Sequence, residues 1–173
     1  MQNNTEKRKY FSLRKLKTAD AEGMLEWMHD PSVVEHLRTD FASKTMEDCL
    51  AFIAASEDES RNLNLALTDE SNEYLGTVSL KNIHEGTAEF AVTIRKKAMG
   101  TSASAWAMQR ILEIGLQEKE LDFIYWCVDL SNKRAIRFYD KNGYQRTAMP
   151  EEASGGYSKE EQKTLIWYAV SRT

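Results

Sequence analysis

Between Thr87 and Tyr144 the chain carries residues whose types and spacing suit the holding of an anion. Gly100, Thr101, Ser102, Ala103 and Ser104 are five small residues in a row, and a helix-period pattern begins among them. The first N–H groups of a helix have no partner within it, and the helix dipole adds partial positive charge there. A pyrophosphate could approach such a backbone closely, with the Thr101 and Ser102 hydroxyls as further donors and Lys96 and Lys97 supplying a favourable field. The spacing alone is equally consistent with a helix start kept small only for packing against a sheet.

Three elements must position this loop. Ala88, Phe90, Val92 and Ile94 alternate with Glu89, Ala91 and Thr93, which predicts a strand with an apolar face and a second, more polar face. From about Ser102 to Glu118, Ala107, Met108, Ile111, Leu112 and Gly115 share one side of a helix. Phe123 to Val128 is continuously apolar, as a central strand covered on both faces would be. Strand, helix and strand of this length form a right-handed parallel unit with a crevice at the carboxyl ends of the strands. Ser131-Asn132 then caps a helix with Ala135, Ile136 and Tyr139 inward, and Asn142-Gly143 ends it.

The flanking chain reads as support for this unit. Residues 1–10 form a frayed or disordered tail, and 11–173 one domain. A short strand over Phe11–Leu16 precedes a helix capped by Thr18 that stops at His29-Asp30-Pro31. Helical patterns follow over Ser32–Leu37 and Thr45–Ser56, then an antiparallel meander through Leu63–Leu67, Tyr74–Lys81 and Ala88–Ile94. Tyr144–Ala148 and Thr164–Val170 close the chain as a hairpin around a looser segment from Glu151 to Gln162. The fold class is α+β, a mixed and mostly antiparallel sheet with a central parallel strand pair and helices on both faces.

A net charge of -4 and a pI near 5.5 argue against nucleic acid as a partner. Cys49 and Cys127 lie in apolar patterns without C-x-x-C spacing, so neither a disulfide framework nor a metal site is expected. The longest apolar run is too short to span a bilayer, and the polar N-terminus is unlike a signal peptide, which together imply a cytoplasmic protein without a membrane partner.

Three further pieces carry a family resemblance. They are Leu13-Arg14 with the helix ending Trp27-Met28-His29-Asp30-Pro31, Ala88-Glu89-Phe90 leading into the loop, and Asn132-Lys133-Arg134-Ala135-Ile136-Arg137-Phe138-Tyr139 with Asn142-Gly143-Tyr144. From about Leu13 to Val170 the chain resembles the GNAT superfamily of acetyl-CoA-dependent N-acetyltransferases. It looks closest to the branch of ribosomal-protein N-terminal, spermidine and nucleotide-linked amino-sugar acetyltransferases. The third piece is the most specific, being similar to the family's N-x-x-A-x-x-x-Y…G-[FY] signature. The family's phosphate loop, Q/R-x-x-G-x-G/A, falls without gaps on Met99–Ser104, with Met99 in the Arg/Gln position and Ser102 in place of the first glycine. A register starting at Arg95 and ending at Gly100 is the alternative.

The resemblance implies acetyl-CoA as cosubstrate, held by Met99, Gly100, Thr101, Ser102, Ala103 and Ser104 at its phosphates. It implies pairing of the pantetheine arm with backbone near Val92 and Ile94 and a contact from Asn132. A primary amine would attack the thioester directly in a ternary complex, with Tyr139 as the general acid toward the departing thiolate. The amine needs a base, and Glu89 is the candidate, on a strand face where a groove would desolvate it and raise its pKa. His84 and His29 are rivals. Trp27, His29, Phe41 and Tyr157 are expected to wall an acceptor pocket for a protein N-terminus, a polyamine or an amino sugar. A homodimer is possible through an exposed strand. The alternative function is a non-catalytic acyl-CoA-binding or regulatory domain on the same fold.

Overall fold

The computed structural model describes residues 10–173; residues 1–9 of the expected tail lie outside the described residues. The strands are β1 (Ser12–Lys15), β2 (Leu63–Thr68), β3 (Tyr74–His84), β4 (Thr87–Ile94), β5 (Phe123–Asp129), β6 (Gln145–Thr147) and β7 (Leu165–Ser171). The helices are α1 (Ala21–Met28), α2 (Pro31–Val34), α3 (Met46–Ala55), α4 (Ala103–Glu113), α5 (Lys133–Lys141) and α6 (Lys159–Gln162). One sheet contains all seven strands in the order β1-β2-β3-β4-β5-β7-β6. Strands β1 to β4 form an antiparallel meander, β4 and β5 are parallel, and β7 runs antiparallel to both β5 and β6. This is the expected α+β arrangement.

The alternation read in the sequence decides what each face carries. Leu65, Val78, Phe90, Ile124 and Trp126 project to one side, where Met108 and Ile111 of α4 and Tyr139 of α5 cover them. On the other side Ala66 and Tyr74 pack against Met24 and Trp27 of α1 and Ile53 of α3. A smaller cluster on that second face joins Tyr125, Tyr157 and Trp167. Each large apolar side chain buried in this way contributes about 1.5–3 kcal/mol, so both faces are needed to hold one sheet.

The crossover helix runs as expected, with Ala107, Met108, Ile111 and Leu112 buried, but its last turn is wider. Ile114–Glu118 is a π-helical turn, in which the Lys119 N–H reaches the Ile114 carbonyl at 2.9 Å. A Cβ on Gly115 would stand 2.6 Å from Ile124 Cδ1 and 2.9 Å from Leu80 Cδ1. Glycine therefore lets this turn lie against the sheet, and the extra residue per turn seats it there.

Four local expectations change. Thr18 does not cap α1 but opens a 3-10 turn, Thr18–Asp20, that leads into it. The carboxylate of Asp20 takes the Lys17 N–H at 2.8 Å and is clamped by both terminal nitrogens of Arg14 at 2.8 and 2.9 Å. That pairing joins a strand to a helix entrance, so no local pattern announces it. Strand β3 continues to His84 rather than ending at Lys81, because the Glu85-Gly86 turn has both residues at positive φ and keeps the hairpin tight. Lys96–Ala98 forms a 3-10 turn before the loop, and the segment thought loose holds a turn at Glu151–Ala153 and α6. Among the described residues no helix is long and apolar enough to cross a membrane.

Candidate active site

Parallel pairing between β4 and β5 covers only Thr87–Phe123, Ala88–Ile124 and Glu89–Tyr125. Beyond Glu89 the ladder to β5 stops, although β4 stays paired with β3 as far as Ile94. The two strands thus open as a wedge toward their carboxyl ends, with Glu89 and Tyr125 at its apex. The Arg95 N–H bonds the Leu75 carbonyl across to β3 at 2.8 Å. Counting back by the strand's two-residue alternation, the N–H and C=O groups of Val92 and Ile94 face the side that β5 has left. A ligand amide could complete the ladder along that edge.

The mouth of the wedge is formed by the starts of α4 and α5. Gly100 has φ +74°, and a Cβ there would meet nothing within 4 Å, so the glycine serves the backbone conformation rather than a close contact. The backbone N–H groups of Ser102, Ser104 and Ala105 have no protein partner among the described residues. The side chain of Ser102, at the cap position, makes no capping bond. These groups are available to an anion.

Two of the expected donors are not free. The Thr101 hydroxyl donates to the Ala98 carbonyl at 2.6 Å and accepts the Ala103 N–H at 3.2 Å. Ala103 is fully buried, so its methyl belongs to the core and its N–H to Thr101. Both residues shape the loop because a helix start needs a cap, and Ser102 leaves that place unfilled.

The basic cluster is also divided. Lys97 pairs with Glu73, and Arg95 pairs with Glu26 and Glu73. Arg95 turns into a separate depression of about 500 Å³ ringed by Arg14, Asp20, Glu26 and Glu73. That removes it from the alternative loop register. Lys96 keeps no carboxylate partner among the described residues. Arg134 of α5, a signature residue to which the sequence assigns no role, donates Nη1 to the Met99 sulfur at 3.0 Å. A cation from a neighbouring helix therefore lies against the position where the loop carries Met99.

Asn132 caps α5 through its side-chain oxygen, which accepts the Ala135 N–H at 3.1 Å. Its amide nitrogen is left for a ligand. Tyr139, two turns on, is buried between Trp126 at 5.6 Å and Tyr168 at 5.1 Å between ring centroids. Burial, and then the neighbouring Cys127, Tyr168 and Tyr144, push its pKa up, so the hydroxyl keeps its proton at neutral pH.

Glu89 lies on the opposite face and is 7% exposed. Its Oε1 accepts the Tyr157 hydroxyl and stands 3.9 Å from Lys81 Nζ. The Cys127 thiol donates to the Tyr157 oxygen at 3.4 Å. Burial first, then the neighbouring Cys127 sulfur and Glu89 carboxylate, raise the Tyr157 pKa, and burial followed by the Glu89 charge brings Tyr125 to about 12. The Arg38 guanidinium sits 4.0 Å over the Tyr157 ring, donating to Glu161 and to the Gly156 carbonyl. His36 meets the Ser131 hydroxyl at 3.0 Å. Just after α2, His36 and Arg38 thus strap the chain to Ser131 and to the Tyr157 segment by polar contacts that no local periodicity signals.

The expected acceptor wall comes apart. Trp27 is 3% exposed, donates to the Tyr74 hydroxyl at 3.0 Å and meets Phe41 edge-on at 4.9 Å. His29 is tied to the Lys44 carbonyl at 2.7 Å. These three residues hold α1 and the α3 approach over β2 and β3, because a large aromatic ring gains more from that core than from an open cleft. Of the four, Tyr157 alone is brought to Glu89. His84 stands exposed on the β3–β4 turn, at the far end of β4 from the wedge.

The acetyltransferase (GNAT) domain family matches residues 11–145. Similar solved structures include a spermidine N-acetyltransferase from Vibrio cholerae in complex with CoA and spermine, with a TM-score of 0.77 at 14% identity, covering 94% of this chain and 95% of that one. RimJ of Mycobacterium smegmatis in complex with CoA-disulfide has a TM-score of 0.75 at 12% identity, covering 93% and 81%. A PaiA N-acetyltransferase from Thermoplasma acidophilum in complex with coenzyme A has a TM-score of 0.70 at 16% identity, covering 94% and 99%. These likenesses concern the fold. No curated protein sequence matches.

Proposed function

The chain belongs to the GNAT acetyltransferase family, with acetyl-CoA as its cosubstrate, and on that premise we propose that it acetylates a primary amine in the β4–β5 wedge. The observation that carries this is the loss of the parallel ladder after Glu89–Tyr125, which opens the sheet between two free backbone edges. The residues present suit the cosubstrate. Val92 and Ile94 offer backbone to its amides, the free N–H groups of Ser102 and Ser104 with Lys96 and Arg134 suit its phosphates, and Asn132 retains a donor. The acyltransferase domain in this reading is 11–173.

Glu89 and Tyr139 come from opposite faces of the sheet. Only where two strands part can groups from both faces reach a ligand lying in the sheet plane. Glu89, fixed by Tyr157, takes the proton of the attacking amine directly or through one water. Tyr139, kept protonated by burial, donates to the departing thiolate. Protein N-termini, polyamines and amino sugars are the acceptor classes to compare. A cytoplasmic location, with no nucleic-acid or membrane partner and an optional homodimer, belongs to the same reading.

The test is acetyl-CoA calorimetry beside a thiol-release screen over an amine panel. Heat together with thiol release on at least one amine is expected. Absence of both overturns the proposal, and binding without turnover on any amine would replace it with the non-catalytic alternative.

A further inference from the structure

Trp126 is 1% exposed, and its indole N–H is a buried donor without a partner among the described residues. Such a group forfeits the hydrogen bonds it had in water. Its neighbours are Phe90, Tyr139, Tyr144 and Tyr168, with ring centroids 5.3–5.8 Å away. Rings offer at most a weak N–H to π contact. Phenylalanine would fill an aromatic nest of this kind without stranding a donor.

The place of Trp126 in the sheet gives the donor a use. It is the first β5 residue beyond the last pair with β4, where the wedge begins, and it packs directly on Tyr139. We infer that the Trp126 indole N–H is a binding donor for a carbonyl oxygen on the acyl-pantetheine arm of acetyl-CoA. That arm carries two amide carbonyls and the thioester carbonyl, all acceptors, and it must pass this point to bring its sulfur toward Tyr139. The inference rests on the wedge being the cosubstrate site. It adds a side-chain donor to the backbone contacts of β4.

The chain has four tryptophans, so a nitrogen-15 correlation spectrum shows four indole signals. Trp126→Phe identifies one by its disappearance; should that variant not fold, Trp27→Phe, Trp106→Phe and Trp167→Phe identify it by elimination. On titration with acetyl-CoA, that signal is expected to move downfield together with the backbone amides of Ser102 and Ser104. A shift with CoA as well assigns an amide carbonyl as the acceptor, and a shift with acetyl-CoA alone assigns the thioester carbonyl. Trp126→Phe should weaken acetyl-CoA binding roughly tenfold. If the Ser102 and Ser104 amides move while the indole signal does not, the inference is wrong and the cosubstrate reading stands. If none moves, the cosubstrate reading itself has failed.

Discussion

Tyr157 donates its hydroxyl to the carboxylate of Glu89, 68 residues earlier in the chain. One partner is on the central strand and the other on the excursion between β6 and β7. The strap residue Arg38 lies over the same tyrosine ring. The carboxylate is thereby held in one place at the apex of the wedge.

Glu89→Gln keeps the size of the side chain and removes the carboxylate proposed as the base. Turnover should fall by about 10² to 10⁴-fold with acetyl-CoA affinity unchanged, as thiol release and calorimetry will show. Tyr157→Phe loosens the carboxylate without removing it, and a loss of roughly tenfold is expected. Wild-type turnover in Glu89→Gln would end the base assignment.

Tyr139→Phe should lower kcat by about 10²-fold while leaving acetyl-CoA binding nearly intact. Burial raises the pKa of this tyrosine, so its proton-donating form persists above the ordinary tyrosine value of about 10. The pH profile of kcat should therefore show no alkaline fall below about pH 10 that Tyr139→Phe abolishes. Such a limb near pH 8 would contradict the role.

Arg134→Ala removes the cation that lies against Met99. The KM for acetyl-CoA should rise by roughly three- to tenfold at low salt, with the difference shrinking as ionic strength increases. A salt-independent change would mean that Arg134 acts through packing rather than charge.

Asp20→Asn tests the hidden clamp at the start of α1. Asp20 is 4% exposed, and loss of its charge leaves Arg14 facing a neutral group; about 3 kcal/mol and a Tm lower by roughly 10 °C are expected. Burial alone would raise the Asp20 pKa, but the Arg14 and Lys17 bonds outweigh it and the net shift is downward. A lowered folded-state pKa contributes stability that is full above about pH 4 and is lost as pH falls through the folded value. Denaturation of both proteins from pH 7 to pH 2 should show their stability difference shrinking below pH 4.

How much of the site could be read in advance differs residue by residue. Glu89 opposite Phe90, and Tyr139 seven residues after Asn132, follow from strand and helix periods that any local window contains. Residue type overcounts the donors of Thr101 and Ala103, because whether a hydroxyl is free depends on a carbonyl that the loop's own folding brings to it. The resemblance places Trp27 and Phe41 in the acceptor wall, but they pack into the core, since apolar area is buried wherever a sheet face lies bare.

Alternation, helix period and capping by themselves determined the strand–loop–helix–strand unit, the two faces of β4 and the helix that carries Tyr139. They act over a few residues and need no partner. Only the tertiary structure decided that β4 and β5 part after Glu89, that Tyr157 closes on that residue with Arg38 over its ring, and that Arg95 is spent on Glu26 and Glu73 while Arg134 comes to Met99. Those are contacts between distant segments. Their side chains are chosen by charge and burial across the assembled sheet, and nothing in the neighbouring sequence records which partner will arrive.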